Sequence, residues 1–285
     1  KSTRKNFPNH GCKIFLCDKT HEKASIDVME DVMTTLIEAQ GLKRRFGSIQ
    51  AVDGIDLAVS AGEVLGFLGP NGAGKSTTMR MLTGFLEADS GSVQLAGIAL
   101  DVDPLEARRR MGYLPEGAPA YPDMKVRDFL MFIAQARGFL GSEARRRVDE
   151  AVDRIHLQQV LGQTIETLSK GFKRRVGLAQ AILHDPPVLI LDEPTDGLDP
   201  NQKHEVRNLI SEMGASQGKA IVLSTHILEE VEAVCTRAVI INRGKVVVDE
   251  TPERLVAMAP ERSGGSALDA VFRSVTSGDL EEAGQ

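Results

Sequence analysis

The stretch Gly69-Pro-Asn-Gly-Ala-Gly-Lys-Ser-Thr77 decides the fold of this chain. From Gly69 to Ser76 it fits the pattern G-x-x-x-x-G-K-[ST], whose backbone N–H groups form a cradle for phosphate. Its glycines allow backbone conformations that a Cβ would forbid. The stretch therefore predicts a phosphate-binding loop, the alternative being a chance glycine-rich turn. The predicted phosphate-binding residues are Gly69, Pro70, Asn71, Gly72, Ala73, Gly74, Lys75, Ser76 and Thr77.

The flanks of this loop have the pattern of a strand followed by a helix. The apolar run Val64–Leu68 precedes the loop, and Met79, Leu82 and Leu86 follow it with helical spacing. The positive N-terminal end of such a helix faces the bound phosphates. We expect Lys75 to reach the β- and γ-phosphates of a nucleotide and the Ser76 hydroxyl to be a magnesium ligand.

A second candidate element is Val188-Leu-Ile-Leu-Asp-Glu193. Four consecutive aliphatic residues are typical of a strand that is buried on both faces of a parallel sheet. Asp192, at the predicted strand end, is a candidate magnesium ligand, and Glu193 is the candidate general base for an attacking water. A surface turn that happens to contain two acidic residues is the alternative.

Composition excludes several classes of protein. The chain has 285 residues, 42% of them hydrophobic, which is ordinary for a globular protein. It contains no run of about 18 apolar residues, as a membrane-spanning helix needs, and no secretory leader pattern. A net charge of −6 argues against broad nucleic-acid binding, so we expect no nucleic-acid partner. The three cysteines do not suggest a disulfide framework, and a reducing cytoplasmic setting is the default.

The chain divides into three parts by its patterning. Residues 1–33 lack periodicity and precede the first convincing strand, so we expect a disordered or non-native extension, or else a regulatory segment. Residues 34–250 have the pattern of one nucleotide-binding domain, with a mainly helical stretch at about 104–172. Residues 251–285 are expected to be a tail with a short helix at Leu268–Val275 after a Gly/Ser-rich linker.

Local patterns predict the remaining elements. The predicted strands are Leu36–Ala39, Ile55–Val59, Ser92–Leu95 paired with Ile98, Ala220–Leu223, and a closing hairpin around Arg243-Gly244. The predicted helices are Val126–Phe139, Ser142–Leu157 and the segment that runs to about Leu183. The basic cluster Lys173-Arg174-Arg175 is a candidate for attracting the charge of a nucleotide.

Three further motifs follow in order: Leu168-Ser-Lys-Gly-Phe172, Gly197-Leu-Asp-Pro200 and Ser224-Thr-His226. With these motifs, the chain from about Leu36 to Val248 resembles the nucleotide-binding domain of ATP-binding cassette (ABC) ATPases, most closely the ABC-2-type export, gliding-motility and multidrug export subunits. The resemblance implies an α/β fold: a P-loop NTPase core with a mainly parallel sheet, an antiparallel β subdomain and an inserted helical subdomain. It also implies ATP hydrolysis with ATP and Mg²⁺ as cofactors.

The resemblance implies roles for residues whose local sequence pattern does not indicate a function. Phe46 matches the aromatic residue that stacks on adenine, although a core phenylalanine is the alternative. Ser169 and Gly171 match the signature loop, which contacts the γ-phosphate of ATP held by a second subunit. Asp199 matches the loop that links the two sites, and His226 matches the switch histidine, which joins Lys75 and Glu193 as a catalytic candidate.

This sequence departs from the family pattern at two places. The usual signature is LSGGQ, whereas Lys170 and Phe172 replace its first paired glycine and its glutamine. Lys170 adds positive charge where the transferring phosphoryl group is negative. The loop that normally offers glutamine to magnesium and water has Glu116 instead, so Glu116 is a candidate nucleotide and magnesium ligand beside Ser76 and Asp192.

The resemblance also implies partners. We expect a head-to-tail dimer with an identical or related ATPase, and an integral-membrane permease on a separate chain, at the cytoplasmic face of the cell membrane. The predicted docking region is the helical stretch, including the loop Glu116–Met124 and the cluster Phe129–Phe132, although helix core is the simpler account of that cluster. The alternative is a non-transport ABC ATPase that acts on a soluble macromolecular partner.

Overall fold

The computed structural model describes residues 34–259 and 266–277. The strands are β1 (Thr35–Phe46), β2 (Ile49–Ser60), β3 (Val64–Leu68), β4 (Ser90–Leu95), β5 (Ile98–Ala99), β6 (Met111–Leu114), β7 (Val188–Asp192), β8 (Ala220–Ser224), β9 (Arg237–Asn242) and β10 (Lys245–Glu250). The helices are α1 (Lys75–Leu82), α2 (Pro104–Arg109), α3 (Val126–Ala136), α4 (Gly141–Ile155), α5 (Lys170–Ile182), α6 (Pro200–Ala215), α7 (Leu228–Val234), α8 (Pro252–Ala257) and α9 (Ala267–Ser277). The expectation for residues 1–33 and most of the predicted linker lie outside the described residues.

Two sheets organise these elements. The first is antiparallel, in the order β2-β1-β4-β5, and the second has the order β10-β9-β3-β8-β7-β6. In the second sheet, β9, β3, β8, β7 and β6 are parallel, and only the edge strand β10 is antiparallel to its neighbour. The carboxyl ends of the parallel strands therefore meet at one edge, where ligands bind in open α/β sheets.

Strands β3, β7 and β8 form the centre of the parallel sheet because their residues are apolar almost throughout. Every residue of these three strands is buried. Alternate side chains point to opposite faces, where each meets a separate hydrophobic cluster. Both faces are therefore covered, as continuous aliphatic runs predict for a parallel sheet.

The helical part packs on one side of this sheet. Helix α4 buries Val148, Val152 and Ile155 on the predicted face, and α3 buries Phe129 and Leu130. The helix preceded by Ser169 ends at Ile182, close to the predicted end. The structure thus confirms two amphipathic helices, α3 and α4, where the sequence predicts them.

The prediction of a mainly helical stretch from residue 104 to 172 misses one strand. Strand β6 lies inside that range and pairs with β7 at the edge of the parallel sheet. Its Gly112 lies against the backbone of α5, where an added Cβ would be 2.1 Å from the carbonyl oxygen of Ala181. The close approach of α5 to this strand requires a residue without a side chain.

Other boundaries also differ from the predictions. Helix α1 ends at Leu82, so Leu86 lies beyond it, and α3 ends at Ala136 rather than Phe139. Gly138 follows with a φ of 94°, a left-handed conformation typical of helix ends. In the basic cluster 173–175, the side chains of Arg174 and Arg175 are buried.

The hairpin of β9 and β10 supports the phosphate-binding loop from behind. The N–H of Gly244, in the hairpin turn, donates to the carbonyl of Ala73 at 2.9 Å, and the N–H of Asp53 donates to the carbonyl of Gly244 at 2.8 Å. A Cβ on Gly69 would lie 2.5 Å from the carbonyl oxygen of Ile241. The loop therefore joins both sheets through backbone hydrogen bonds.

Candidate active site

A cavity of about 320 Å³ lies at the carboxyl edge of the parallel sheet, beside the phosphate-binding loop. The residues that line it come from the tip of the β1–β2 hairpin, the loop and α1, the segment after β6, and the end of β7. They are Phe46, Ala51, Asn71, Gly72, Gly74, Lys75, Ser76, Thr77, Glu116, Asp192 and Glu193. The structure thus brings together most of the residues that the sequence predicted for nucleotide and magnesium.

Glycine is required where the loop enters α1. Gly74 is the N-cap of the helix, with a φ of 107°, and its Cβ would lie 2.4 Å from the carbonyl oxygen of Ala51. Gly72 is also left-handed, with a φ of 80°. The first turn of α1 contains no acidic residue, so its free N–H groups and helix dipole give this end of the cavity a positive potential.

Lys75 points along this loop. Its Nζ donates to the carbonyl oxygens of Gly69 at 2.5 Å and of Pro70 at 3.1 Å. Burial lowers the pKa of the Lys75 ammonium, and the nearby carboxylates of Glu193, Asp192 and Glu116 act in the opposite direction. A partly desolvated cation among acceptor oxygens is suited to bind a phosphate anion.

The acidic side of the cavity is formed at the ends of β7 and β8. The buried Asp192 accepts a hydrogen bond from the hydroxyl of Ser224, which joins the two strand ends. Together with the Ser76 hydroxyl and the Glu116 carboxylate, Asp192 provides only hard oxygen donors, the ligands that Mg²⁺ prefers. The donor set therefore fits a magnesium ion that is also held by phosphate oxygens.

Glu193 and His226 form a hydrogen-bonded pair. Nδ1 of His226 donates to Oε1 of Glu193 over 2.9 Å, which brings together the turn after β7 and the loop after β8. The His226 side chain is 64% exposed, whereas that of Glu193 is mostly buried. Burial raises the pKa of the Glu193 carboxyl, while its hydrogen bond with His226 acts in the opposite direction. A carboxylate with a raised pKa is suited to accept a proton near neutral pH.

Phe46 lies at the opposite end of the cavity, at the tip of the β1–β2 hairpin. Its side chain is 46% exposed, so it is not part of the core. The guanidinium of Arg44 lies 5.0 Å from the ring centroid and is itself held by the carbonyl of Glu87 and the carboxylate of Asp89. The ring is therefore fixed on one side, in a position where it borders the cavity.

Seven of the predicted residues are not among those that line this cavity: Gly69, Pro70, Ala73, His226, Ser169, Gly171 and Asp199. The first three belong to the phosphate-binding loop itself and His226 pairs with Glu193, whereas the last three lie elsewhere. Ser169 caps α5, where its hydroxyl accepts from the N–H of Phe172 at 3.3 Å, and Asp199 caps α6 through the N–H of Gln202 at 2.9 Å. Gly171 packs closely on the loop that precedes Asp199, since its Cβ would lie 3.0 Å from the carbonyl oxygen of Gly197. The signature loop and the linking loop thus form one surface outside the cavity.

The unusual Lys170 contributes to this surface. Its Nζ lies 2.8 Å from Oδ2 of Asp196, and this ion pair lowers the pKa of the Asp196 carboxyl. Both side chains are solvent-exposed, so the pair contributes little to stability. It does connect the first turn of α5 with the turn that follows Glu193.

Two neighbours of the acidic residues had no specific role in the sequence analysis: Arg174 was only part of a basic cluster, and Glu230 had no role. Arg174 is buried, donates to the carbonyl of Pro115 at 3.0 Å and faces the carboxylates of Asp196, Asp192, Glu193 and Glu116. Glu230, on α7, hydrogen-bonds to the turns on both sides of the Glu193–His226 pair. An acid in the first turn of a helix is ordinary on a protein surface, so the local pattern contains no signal for Glu230.

Comparison with known proteins finds a matching family model and several similar ABC transporter ATP-binding proteins. Residues 52–196 match the family model for the ABC transporter ATP-binding domain, described as "ABC transporter". An ABC transporter ATP-binding protein of Bacillus subtilis (strain 168), YdbJ, is 36% identical over 228 residues, which are 78% of this chain and 73% of that protein. The Nod factor export ATP-binding protein I of Ralstonia nicotianae is 35% identical over 223 residues, 78% of this chain and 69% of its own length. The linearmycin resistance ATP-binding protein LnrL of Bacillus subtilis is 33% identical, with 82% and 73% covered.

Solved structures show the same fold. The ATP-binding subunit of an ABC transporter superposes with a TM-score of 0.76 and 32% identity, covering 85% of this chain and 99% of that one. The structure of cbiO1 from Clostridium perfringens, part of the ABC transporter complex cbiONQ, gives a TM-score of 0.70 and 28% identity, covering 79% of this chain and 92% of that one. The expected P-loop NTPase fold, with its parallel core and antiparallel subdomain, is therefore confirmed. This chain belongs to the ABC transporter family, among its ATP-binding proteins.

Proposed function

We propose that this chain hydrolyses ATP with Mg²⁺ and couples hydrolysis to export through a separate membrane permease. One observation carries the proposal of catalysis. A single cavity is lined by the phosphate-binding loop with Lys75, by Asp192, and by Glu193 in contact with His226. These are the parts that phosphoryl transfer to water needs: a phosphate clamp, a metal ligand, a base and a group that orients it.

The nucleotide is held from two ends in this proposal. The phosphates bind the N–H groups of the loop and the Lys75 ammonium, which exchanges its carbonyl partners for phosphate oxygens. Adenine stacks on the exposed face of Phe46, opposite Arg44. Ser76, Asp192 and Glu116 hold magnesium, which neutralises charge on the transferring group.

The chemistry is an in-line attack of water on the γ-phosphorus. The water oxygen bonds to phosphorus while the bond from phosphorus to the bridging oxygen of ADP breaks, and the water proton passes to the Glu193 carboxylate. His226, bonded to Glu193, fixes the direction of that carboxylate and contacts the γ-phosphate. The mostly buried position of Glu193 supports this role, since burial raises the pKa of its carboxyl.

A second copy completes the site in this proposal. Ser169 and Gly171 stand at the N-terminus of α5, which has no acidic residue in its first turn and lies outside the chain's own cavity. Such a helix end binds phosphate. A head-to-tail dimer, of identical or related subunits, would bring this end to the γ-phosphate of the partner, with Asp199 between the two sites.

The permease is proposed to dock beside α3. None of the helices in 34–259 and 266–277 has the length and hydrophobicity of a bilayer span. A groove of about 770 Å³ is lined mainly by apolar and aromatic side chains, with Arg108, Arg137 and Gln180 among them. Phe85 in this groove is 77% exposed. Tyr121 and Phe132 meet edge to face there, with ring centroids 5.6 Å apart. An apolar segment of a membrane subunit, at the cytoplasmic face, fits this groove.

Export, rather than another task of the family, is proposed from the similar proteins. One is named for Nod factor export and another for linearmycin resistance. Solubilised membranes that contain the tagged chain should release it together with a polytopic membrane protein. Recovery with ribosomes or nucleic acid instead would favour the alternative of a soluble machine.

The test of hydrolysis is Glu193→Gln, which keeps shape but cannot accept a proton. We expect turnover to fall roughly 10²-fold or more while ATP still binds. Glu63→Gln is a matched control, because Glu63 is also mostly buried but pairs with Arg237 beside the opposite end of β3. A Glu193→Gln protein that hydrolyses ATP at the wild-type rate would rule out Glu193 as the base.

A further inference from the structure

A buried carboxylate lies behind the Glu193–His226 pair. Glu230, in the first turn of α7, is 2% exposed. Its Oε1 accepts from the hydroxyl of Thr195, and its Oε2 accepts from the hydroxyl of Thr225 at 2.8 Å. The two oxygens of one carboxylate thus connect the turn after β7 with the loop after β8.

The loop that carries His226 is closed on both sides of this histidine. Thr225 precedes it, and the Thr225 hydroxyl accepts from the N–H of Ile227 at 3.0 Å while donating to Glu230. The N–H of Glu230 donates in turn to the carbonyl of Ile227 at 3.1 Å. His226 is therefore the exposed residue of a short ring of hydrogen bonds that ends on Glu230.

The turn that carries Glu193 needs similar support. Glu193 has a φ of 52°, a left-handed conformation that disfavours a residue with a side chain. Its N–H donates to the carbonyl of Ser224 at 3.0 Å, and Thr195, two positions later, is tied to Glu230. Glu193 thus lies between two hydrogen-bonded residues, Asp192, which accepts from Ser224, and Thr195, which donates to Glu230.

A third element faces the same carboxylate. Nη2 of Arg207, on α6, lies 3.8 Å from Oε1 of Glu230. A buried carboxylate is costly unless hydrogen bonds and opposite charge compensate it, and here two hydroxyls and a guanidinium do so. An apolar side chain would fill this space more simply, but it could not fix the direction of two hydroxyl groups.

We propose that Glu230 is a positioning residue for hydrolysis: it sets the distance and direction of the Glu193–His226 pair through Thr195 and Thr225. The proposal rests on the hydrolysis proposed above. The Glu230 carboxylate hydrogen-bonds to Thr195 and Thr225 and not to Glu193 or His226. It therefore acts by fixing the two turns that carry Glu193 and His226. Small displacements of reacting groups cost up to about 10²-fold in rate.

The experiment compares Glu230→Gln, Thr225→Val, Thr225→Ser and the double variant Glu230→Gln/Thr225→Val. For each protein, kcat, KM for ATP, nucleotide affinity and thermal unfolding are measured. The control is Glu229→Gln, which makes the same change of charge on the adjacent, exposed residue of α7.

We expect Glu230→Gln and Thr225→Val to lower kcat roughly 10-fold or more, with ATP affinity within about two-fold of the wild type. The double variant should be no slower than the slower single variant, because both changes break the same connection. Thr225→Ser, which keeps the hydroxyl, should restore most of the rate, and Glu229→Gln should behave as the wild type.

Three outcomes would overturn the proposal. One is an unchanged kcat in Glu230→Gln and Thr225→Val. Another is a double variant whose loss of kcat is the product of the two single losses. The last is a loss of kcat that merely parallels a loss of thermal stability, as expected if Glu230 only stabilises the fold. A wild-type chain without ATPase activity, alone or with its permease, would instead contradict the proposed function, so the two failures are distinguishable.

Discussion

The stability of this fold should depend on pH through His184, a mostly buried residue that follows α5. Its Nε2 lies 3.0 Å from the carbonyl oxygen of Met111 and must carry the hydrogen, because a carbonyl can only accept. Its Nδ1 is buried and has no hydrogen-bond partner among the described residues. A proton on Nδ1 would therefore place an unpaired charge beside Arg137 and Lys219, two cations that also disfavour it.

This environment determines both the sign and the size of the effect. Burial, then the charge of Arg137, lowers the pKa of His184 from 6.5 to about 3. The unfolded chain binds the proton more readily than the folded one, so stability is fully present above pH 6.5 and is lost as pH falls from 6.5 towards 3. Between pH 7 and pH 5 these two pKa values give a loss of about 2 kcal/mol from this residue alone.

Urea unfolding of the wild type and of His184→Gln, each at pH 7 and pH 5, measures this contribution. Glutamine keeps an N–H for the carbonyl of Met111 but cannot be protonated. The stability advantage of the wild type over His184→Gln should therefore shrink by about 2 kcal/mol between pH 7 and pH 5. His156→Gln changes an exposed histidine and serves as the control. If the advantage is the same at both pH values, His184 is not held neutral by its surroundings.

Two further substitutions test packing and binding. Gly112→Ala should lower the free energy of unfolding by about 1–3 kcal/mol or prevent folding, because the new Cβ would overlap the carbonyl of Ala181. Gly162→Ala is the control in the same urea assay and should be tolerated, because Gly162 has open space around it. Phe46→Ala should raise the Kd for ATP roughly 10-fold, since stacking of a base on an aromatic ring contributes about 1–3 kcal/mol. Phe46→Tyr should bind nearly as the wild type in the same titration, and an unchanged Kd for Phe46→Ala would remove Phe46 from the site.

The centre of the fold could be predicted from the sequence because it depends on short-range patterns. The aliphatic runs Val64–Leu68 and Val188–Leu191 are buried on both faces, and the glycines between β3 and α1 are required by the backbone itself. Local pattern and tertiary environment agree at these positions. Strand β3 has the bounds that its sequence predicts, and β7 differs by a single residue.

Elements that depend on distant partners were predicted less well. Strand β6 consists of Met111-Gly-Tyr-Leu114, too short and mixed to be recognised, and it is a strand because β7 pairs with it. Strand β1 continues through the charged run Lys43-Arg44-Arg45, because β2 supplies its hydrogen bonds. Pairing overrides weak local propensity in both cases.

The candidate site shows the same division. Loop residues such as Lys75 and Glu193 belong to recognisable motifs, and their convergence follows from the parallel order of the strands. Glu230 could not be found this way, because its partners Thr195 and Thr225 meet it only in the folded chain. The resemblance supplied Ser169 and Asp199, whose proposed roles require a second chain.

The contact between the hairpin turn at Gly244 and the phosphate-binding loop has a consequence for biosynthesis. Strand β3 is paired on both sides with β8 and β9, which are translated long after it, and the loop is completed by a hydrogen bond from Gly244. A nascent polypeptide that has not yet emerged past Gly244 lacks these partners, whatever its first half has formed. Nucleotide capture therefore requires translation past Gly244, and products truncated before this residue are left without the nucleotide that would stabilise them.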